Sequence, residues 1–234
     1  MKLLALDTSS EGCSAALWLD GQITERFELA PRGHTRLLMP MVRDVLAEQG
    51  LAPTDLDALA FARGPGSFTG LRIATGVVQG LAWGLSLPVV PVSSLAAVAL
   101  GAIEAYQLAE GDLIAVAFDA RMGEVYFATF QCHQGLPVLM GDERVCSPGA
   151  VSLPETGPQC EWIGVGQGWA FVDNMPENVV SRLRHIDETL VPRAAHVARL
   201  AEHGYRQGDA VPAEKAQPVY IRDEVAWKKL PGRG

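Results

Sequence analysis

The chain has 234 residues, a net charge of −8, 48% hydrophobic residues and 20% charged residues. That length holds one large domain or two small ones, and the composition is that of a globular chain rather than a disordered one. The acidic balance argues against tight autonomous binding of nucleic acid, which needs clustered Lys and Arg; the best basic group, Arg222, Lys228, Lys229 and Arg233, reads as a solvated terminus.

In chain order, Leu3–Leu6 is a short apolar run that ends at Asp7 and the polar turn Thr8-Ser9-Ser10. Cys13–Leu19 and the alternating Gln22–Leu29 predict two more strands, joined by the hairpin signal Asp20-Gly21. Leu37, Leu38, Met41, Val42, Val45 and Leu46 recur at helical spacing and predict a helix over Thr35–Gln49, stopped by Gly50. A buried strand, Leu56–Phe61, leads into the loop Arg63–Thr69, a long helix over Gly70–Leu85, a strand at Val89–Val92 and a helix capped by Ser93-Ser94. The order βββαβαβα predicts half of an actin-like, ribonuclease-H-like fold.

A second unit begins near Asp112, with strands at Leu113–Phe118, Glu124–Phe130, Val138–Val145 and Trp162–Val165. Ser147–Gln159 reads as loop, Ala194–Arg206 as helix, and the tail from Gly208 as irregular. Each half opens with an apolar strand ending in Asp, at Asp7 and Asp119, which predicts a duplicated α/β fold with mixed sheets and a cleft between subdomains 1–107 and 108–234. The second half reads as degenerate, with its last helix and tail returning to the first.

The most apolar stretch, Ile73–Leu100, is broken by Gln79, Pro88 and Pro91, whereas a membrane helix needs ~20 apolar residues in succession. Cys13, Cys132, Cys146 and Cys160 form no C-x-x-C pair and read as reduced thiols. The opening MKLLALD is too short for a secretory apolar region, so a cytoplasmic protein is expected.

Asp7, Thr8 and Ser9, with Asp119 opposite, are the candidate nucleotide site. The plainer reading is an Asx or Ser turn, because the bulky Ala120-Arg121-Met122 suits phosphate poorly. No cofactor is expected. The loop Gly64–Arg72 is not G-x-x-x-x-G-K-[ST] and reads as a turn into a helix capped by Ser67 or Thr69, with weak anion binding left open. In that helix Gly76, Gly80 and Gly84 recur every fourth residue on one face, each costing ~1 kcal/mol against Ala. Close approach of another backbone would offset the cost, whether from the helix Thr35–Gln49 or from a partner chain. The remaining apolar positions predict burial on nearly all sides.

There is no H-E-x-x-H or G-x-S-x-G, and His34, His133, His185, His196 and His203 show no metal-ligand pairing. A peptidase therefore lacks both a metal pair and a nucleophile–base set, and no catalytic or metal residue is expected. Asp55 with Asp57, and Glu104 with Glu110, read as solvated faces.

LLALDTSSEGCSAAL, RGPGSFTGLRIATGVVQGLA, Asp119-Ala120-Arg121 with Glu124-Val125-Tyr126, and Pro218-Val219-Tyr220-Ile221-Arg222 together resemble the TsaB (YeaZ) family. The resemblance implies two actin-like subdomains and a non-catalytic subunit in making threonylcarbamoyladenosine in tRNA. It implies pairing with a TsaD-type catalytic subunit, action with a TsaE-type ATPase, and tRNA contact only through the complex. The metal-binding H-x-x-x-H of TsaD-type proteins is missing, since His34 is followed four residues later by Leu38. By resemblance the two N-terminal helices carry the interface, here Arg36, Leu37, Met41, Thr69, Arg72, Ile73, Gly76, Val77 and Gly80. The same face would also serve a homodimer, like faces being self-complementary. An ATP-binding or ATP-hydrolysing enzyme using the Asp7–Asp119 cleft is the alternative.

Overall fold

The computed structural model of the protein describes residues 1–156 and 161–222. In the first half, strands β1 (Lys2–Asp7), β2 (Gly12–Leu19) and β3 (Gln22–Leu29) precede helix α1 (His34–Glu48). Then come β4 (Ala58–Gly64), α2 (Phe68–Leu85), β5 (Val89–Ser93) and α3 (Ser94–Tyr106). The second half carries β6 (Leu113–Arg121), β7 (Glu124–His133), β8 (Leu136–Cys146), β9 (Trp162–Val165), a short helix α4 (Glu177–Val180), β10 (Leu183–Asp187) and α5 (Ala194–Gln207).

The two sheets are built alike. The first has the order β3-β2-β1-β4-β5 and the second β10-β9-β6-β7-β8, so β1 and β6 occupy the same central place. In each, the first three strands pair antiparallel and the last two join in parallel. This repeated arrangement is the ribonuclease-H-like sheet of actin-like proteins.

Side chains alternate across β1, as strand geometry requires. Leu4 and Leu6 join the core under α1 and α2, while Leu3 and Ala5 face the other way. That other face is lined by Ala16, Ala58, Ala60 and Ala62, and the small side chains admit Ala194, Ala198 and Ala201 of α5. The start of α5 is tied to the same sheet, with Ala194 N donating to Ser14 Oγ (2.9 Å) and Ala195 N to Glu25 Oε1 (2.9 Å). A helix from the end of the chain thus completes the first half. In the same way α3 covers a face of the second sheet through Leu95, Val98, Ala99 and Ala102 against Ile114, Val116 and Phe130.

The second half departs from the sequence reading in a specific way. Its sheet is complete, and the reduction lies in its helices: α4 spans one turn, beside the 3-10 segment Gln167–Asn174. Trp169 of that segment packs on Phe127 and donates from Nε1 to Ala115 O (3.0 Å). Strand β10 was not expected, because LRHID is short and carries charges. Nor does β6 end at Asp119; it runs on to Arg121 through an irregularity in its pairing with β7. The stretch read as loop holds a 3-10 turn at Pro148–Ala150, and Cys160 and Gln159 lie outside the described residues. The tail is less irregular than expected: Val211 pairs with Val89, and Ala213 and Ala216 join the first core.

One contact sets the placement of α2. Ser67 N donates to Ser9 O (2.7 Å), Thr8 Oγ1 donates to Gly70 O (2.6 Å), and Ser67 Oγ accepts from Gly70 N (3.2 Å). Ser67 is therefore the cap, not Thr69. A Cβ at Gly70 would stand 1.9 Å from Thr8 O and one at Gly66 2.3 Å from Ser9 O, so glycine alone permits this approach. Gly70→Ala is expected to lower stability by about 2–3 kcal/mol. At Gly76, where a Cβ would meet nothing within 4 Å, Ala should raise it by about 0.5–1 kcal/mol. Denaturant unfolding of both variants checks the pair.

Candidate functional site

The strand-end turn is closed. Asp7, Thr8 and Ser9 are buried. Ser9 donates to Asp7 Oδ1 from its backbone N (3.0 Å) and its hydroxyl (2.6 Å), while Asp7 Oδ2 has no partner among the described residues. Burial pushes the Asp7 carboxyl up to about 6, against the lowering effect of the two Ser9 bonds and of His34. His34 Nε2 donates to Ser10 O (3.0 Å) and Gly12 O (3.2 Å), locking the same turn from α1. Asp119 is engaged locally instead, accepting from Arg121 N (2.7 Å) and from the Arg121 guanidinium (3.1 Å). Arg121 and Met122 both have positive φ, 65° and 58°. The turn after Asp119, the counterpart of Asp7, is thus a tight one with bulky side chains.

The face of α2 is the open feature. Cβ atoms at Gly76, Gly80 and Gly84 would each meet nothing within 4 Å among the described residues. The expected cover by α1 is not there, and α2 is not buried all round. Leu71, Ala74, Thr75, Val78 and Ala82 turn inward. Ile73, Val77 and Leu81 are half-buried toward the α1 side. Arg72, Gly76, Gly80 and Gly84 stand four apart on the outer side, and Trp83 lies on it too, 73% exposed. On α1, Arg36 is exposed and Leu37 half-buried, but Met41 is buried with Leu38, Val42 and Val45 on the core side of the helix. Met41 therefore packs on the core side of α1 in the isolated chain.

The exposure of Trp83 and Phe68 was not read from the sequence. Trp83 sits seven residues after Gly76, which places both on one helical face, but an apolar run gives no sign of which side stays open.

A strap from the tail crosses the start of α2. Gln79 Nε2 donates to Ala216 O (2.8 Å), Val219 N to Arg63 O (2.8 Å), and Arg72 Nε to Tyr220 Oη (3.0 Å). The strap then reaches the second half, where Arg222 pairs with Glu124. So Arg222 is not a solvated basic residue; Lys228, Lys229 and Arg233 lie outside the described residues. The carboxylates Asp55, Asp57, Glu104 and Glu110 are exposed, as read, and each also makes a contact. Asp57 accepts from Lys2 N (2.7 Å), Asp55 from Ala52 N (2.8 Å), Glu104 pairs with His196 and Arg199, and Glu110 with His133.

An apolar cavity of about 220 Å³ lies between α1 and the 51–56 segment, lined by Leu4, Val42, Leu46, Leu51 and Leu56. No set of polar groups converges in it. Among the described residues no three His, Cys, Asp or Glu side chains come together as a metal site would need, and no helix is long and apolar enough to cross a membrane.

A family model described as TsaD, tRNA N6-adenosine threonylcarbamoyltransferase, matches residues 27–230. The chain is 43% identical to the tRNA threonylcarbamoyladenosine biosynthesis protein TsaB of Escherichia coli (strain K12), covering 100% of each. It is 40% identical to the protein of the same name from Haemophilus influenzae, covering 100% of this chain and 98% of that one. The solved structure of YeaZ from Pseudomonas aeruginosa matches with a TM-score of 0.87 and 45% identity, over 94% of this chain and 99% of that one.

The buried Asp7 predicts a pH dependence of stability. Its folded value lies above the ordinary carboxylate value of 3.8, so the folded state binds the proton more tightly than the unfolded state. Stability from this group is full below about 4 and is lost as pH rises through about 6. Relative to Asp7→Asn, the native chain should lose about 2–3 kcal/mol between pH 4 and pH 7. Denaturant unfolding of both chains across that range checks it; parallel curves would show that Asp7 keeps an ordinary carboxyl.

Proposed function

We propose that this chain, which belongs to the TsaB family of tRNA threonylcarbamoyladenosine biosynthesis proteins, works as a non-catalytic subunit that binds and activates a TsaD-type catalytic partner. Its part in making threonylcarbamoyladenosine follows from the family. The observation that carries the subunit role is the uncovered glycine face of α2. Three glycines in a helix cost about 3 kcal/mol relative to alanine, and nothing among the described residues uses the room they leave. A helix of the partner laid along Gly76, Gly80 and Gly84 would use it, with Ile73 and Val77 as the adjoining apolar border and Arg36, Leu37 and Thr69 at its edges.

The catalytic alternative finds less support. Asp7 is enclosed and bonded to Ser9, and the turn after Asp119 offers positive-φ Arg121 and Met122 where a phosphate cradle needs open amides. His34, which would begin a TsaD-like metal pair, donates to two carbonyls, and Leu38 is buried where a second histidine would stand. A TsaE-type ATPase joins the complex in this reading, and tRNA is reached through it. Without the catalytic partner the same α2 face pairs two copies of the chain. The work belongs in the cytoplasm, in keeping with the free thiols Cys13, Cys132 and Cys146.

Gly80→Leu tests the reading. A Cβ at Gly80 meets nothing within 4 Å among the described residues and leucine is the better helix former, so the melting temperature should hold or rise slightly, with circular dichroism unchanged. Its affinity for the TsaD-type subunit, by calorimetry, should fall at least tenfold, about 1.4 kcal/mol. Unchanged affinity would remove the α2 face from the interface.

A further inference from the structure

The glycine stripe ends at Arg72, four residues before Gly76, and that side chain is held in an unusual setting. Its guanidinium carbon lies 3.7 Å from the centre of the Phe68 ring and 5.8 Å from that of Tyr220. The two rings are 5.5 Å apart, and Tyr220 Oη accepts from Arg72 Nε (3.0 Å). Phe68 is 56% and Tyr220 41% exposed, so this cluster sits at the surface. The exposed residue Arg72 bonds to no carboxylate among the described residues. By contrast, Arg121 is matched by Asp119 and Arg222 by Glu124 close by.

We infer that Arg72 is an anchor for a carboxylate, an Asp or Glu side chain of the partner protein that lies along the α2 face. The inference rests on the interface reading above and adds the chemistry that one end of it recognises. Stacking on Phe68 and the bond from Nε to Tyr220 fix the plane of the guanidinium. The ordering of a long side chain is thereby met before binding rather than during it. With Nε occupied, the two Nη groups remain, and their paired N–H bonds match the two oxygens of a carboxylate. Arginine and tyrosine in a packed surface cluster are the residue types that dominate interface energies.

A protein carboxylate suits the setting better than an RNA phosphate backbone. The chain carries a net charge of −8, and Arg222, two residues from Tyr220, is already paired with Glu124. A polyanion needs several unmatched cations in a row, whereas one fixed guanidinium serves one carboxylate. Arg72 is also in line with Gly76, Gly80 and Gly84, so a partner helix seated on the glycines reaches it without a turn.

The test uses the full chain and the TsaD-type subunit. Arg72→Glu should weaken their affinity roughly 30-fold or more, as for an interface anchor. Arg72→Lys, which keeps the charge and loses the paired donors, should weaken it about fivefold or more. Tyr220→Phe keeps the ring and frees Nε, and should cost about two- to threefold. Arg72→Gln is included so that a folding defect in the charge-reversed chain cannot stand in for lost binding; it should retain the native melting temperature and still bind weakly. If Arg72→Glu and Arg72→Gln bind as the native chain does while Gly80→Leu binds weakly, the anchor is wrong and the interface stands. If all three bind normally, the interface reading fails and the anchor with it. If the Arg72 variants assemble normally but the complex retains less tRNA on a filter, the anion is an RNA phosphate and the inference is overturned.

Discussion

The fold turns on a backbone contact between two loops. The Thr8-Ser9 turn and the Gly66–Gly70 segment meet so closely that Thr8 Oγ1 donates to Gly70 O at 2.6 Å and Ser67 N to Ser9 O at 2.7 Å. Both partners belong to strand ends of one sheet, β1 and β4, which are paired in parallel. The sheet therefore fixes the contact, and the contact fixes the first turn of α2. Two consequences follow from the same few atoms. The turn at the end of β1, Thr8 and Ser9, is packed against the backbone of Gly66–Gly70. The axis of α2 is held so that Leu71, Ala74, Val78 and Ala82 face the sheet and the glycines face out.

The duplicated architecture secures this arrangement from behind. Helix α5, late in the chain, covers the face of the first sheet opposite α1 and α2, and α3, from the first half, covers the second sheet. Each half thus depends on a helix from the other side of the sequence. The strap 211–222 adds a third tie: it begins on β5 at Val89, runs beside α2 and ends at Glu124 on β7. Glu143 of β8 meets Arg63 of β4 at 3.3 Å with its side chain only 10% exposed, so the two halves also share a largely buried ion pair. Interactions of this kind hold position more than they add stability, because desolvation offsets much of the attraction.

Much of this was legible in the sequence, and the reasons differ by element. The first strand was marked by its apolar run Leu3–Leu6, the third by alternation over Gln22–Leu29, the hairpin joining it to the second by Asp20-Gly21, and α1 by its 3.6-residue period, because one-sided burial writes a period. The second sheet was partly hidden. β10 carries Arg184, His185 and Asp187 on a mostly surface-facing strand, where polarity removes the apolar signal. The 3-10 segment around Trp169 has no period of its own and is held by tertiary contacts. At the candidate site, the glycine spacing was visible, but which side of α2 lay open was not. An apolar helix with glycines reads alike whether a neighbour is inside the chain or outside it. On α1, the helical spacing of Met41 with Leu38, Val42 and Val45 marked the apolar face, and it is buried there, while its place in the interface came only from the resemblance. The role of Tyr220 depends on a contact with Arg72 across 148 positions in sequence, which no local pattern encodes.

Hydroxyl-radical footprinting of Trp83 reads the central claim at one residue. Trp83 is 73% exposed and lies on the face of α2 marked by the glycines. The account predicts rapid oxidation of this indole at low concentration of the chain alone. It predicts strong protection when the TsaD-type subunit is added at concentrations where sedimentation shows the complex. A complex in which Trp83 is oxidised as fast as in the free chain would contradict it, since the partner would then be bound elsewhere.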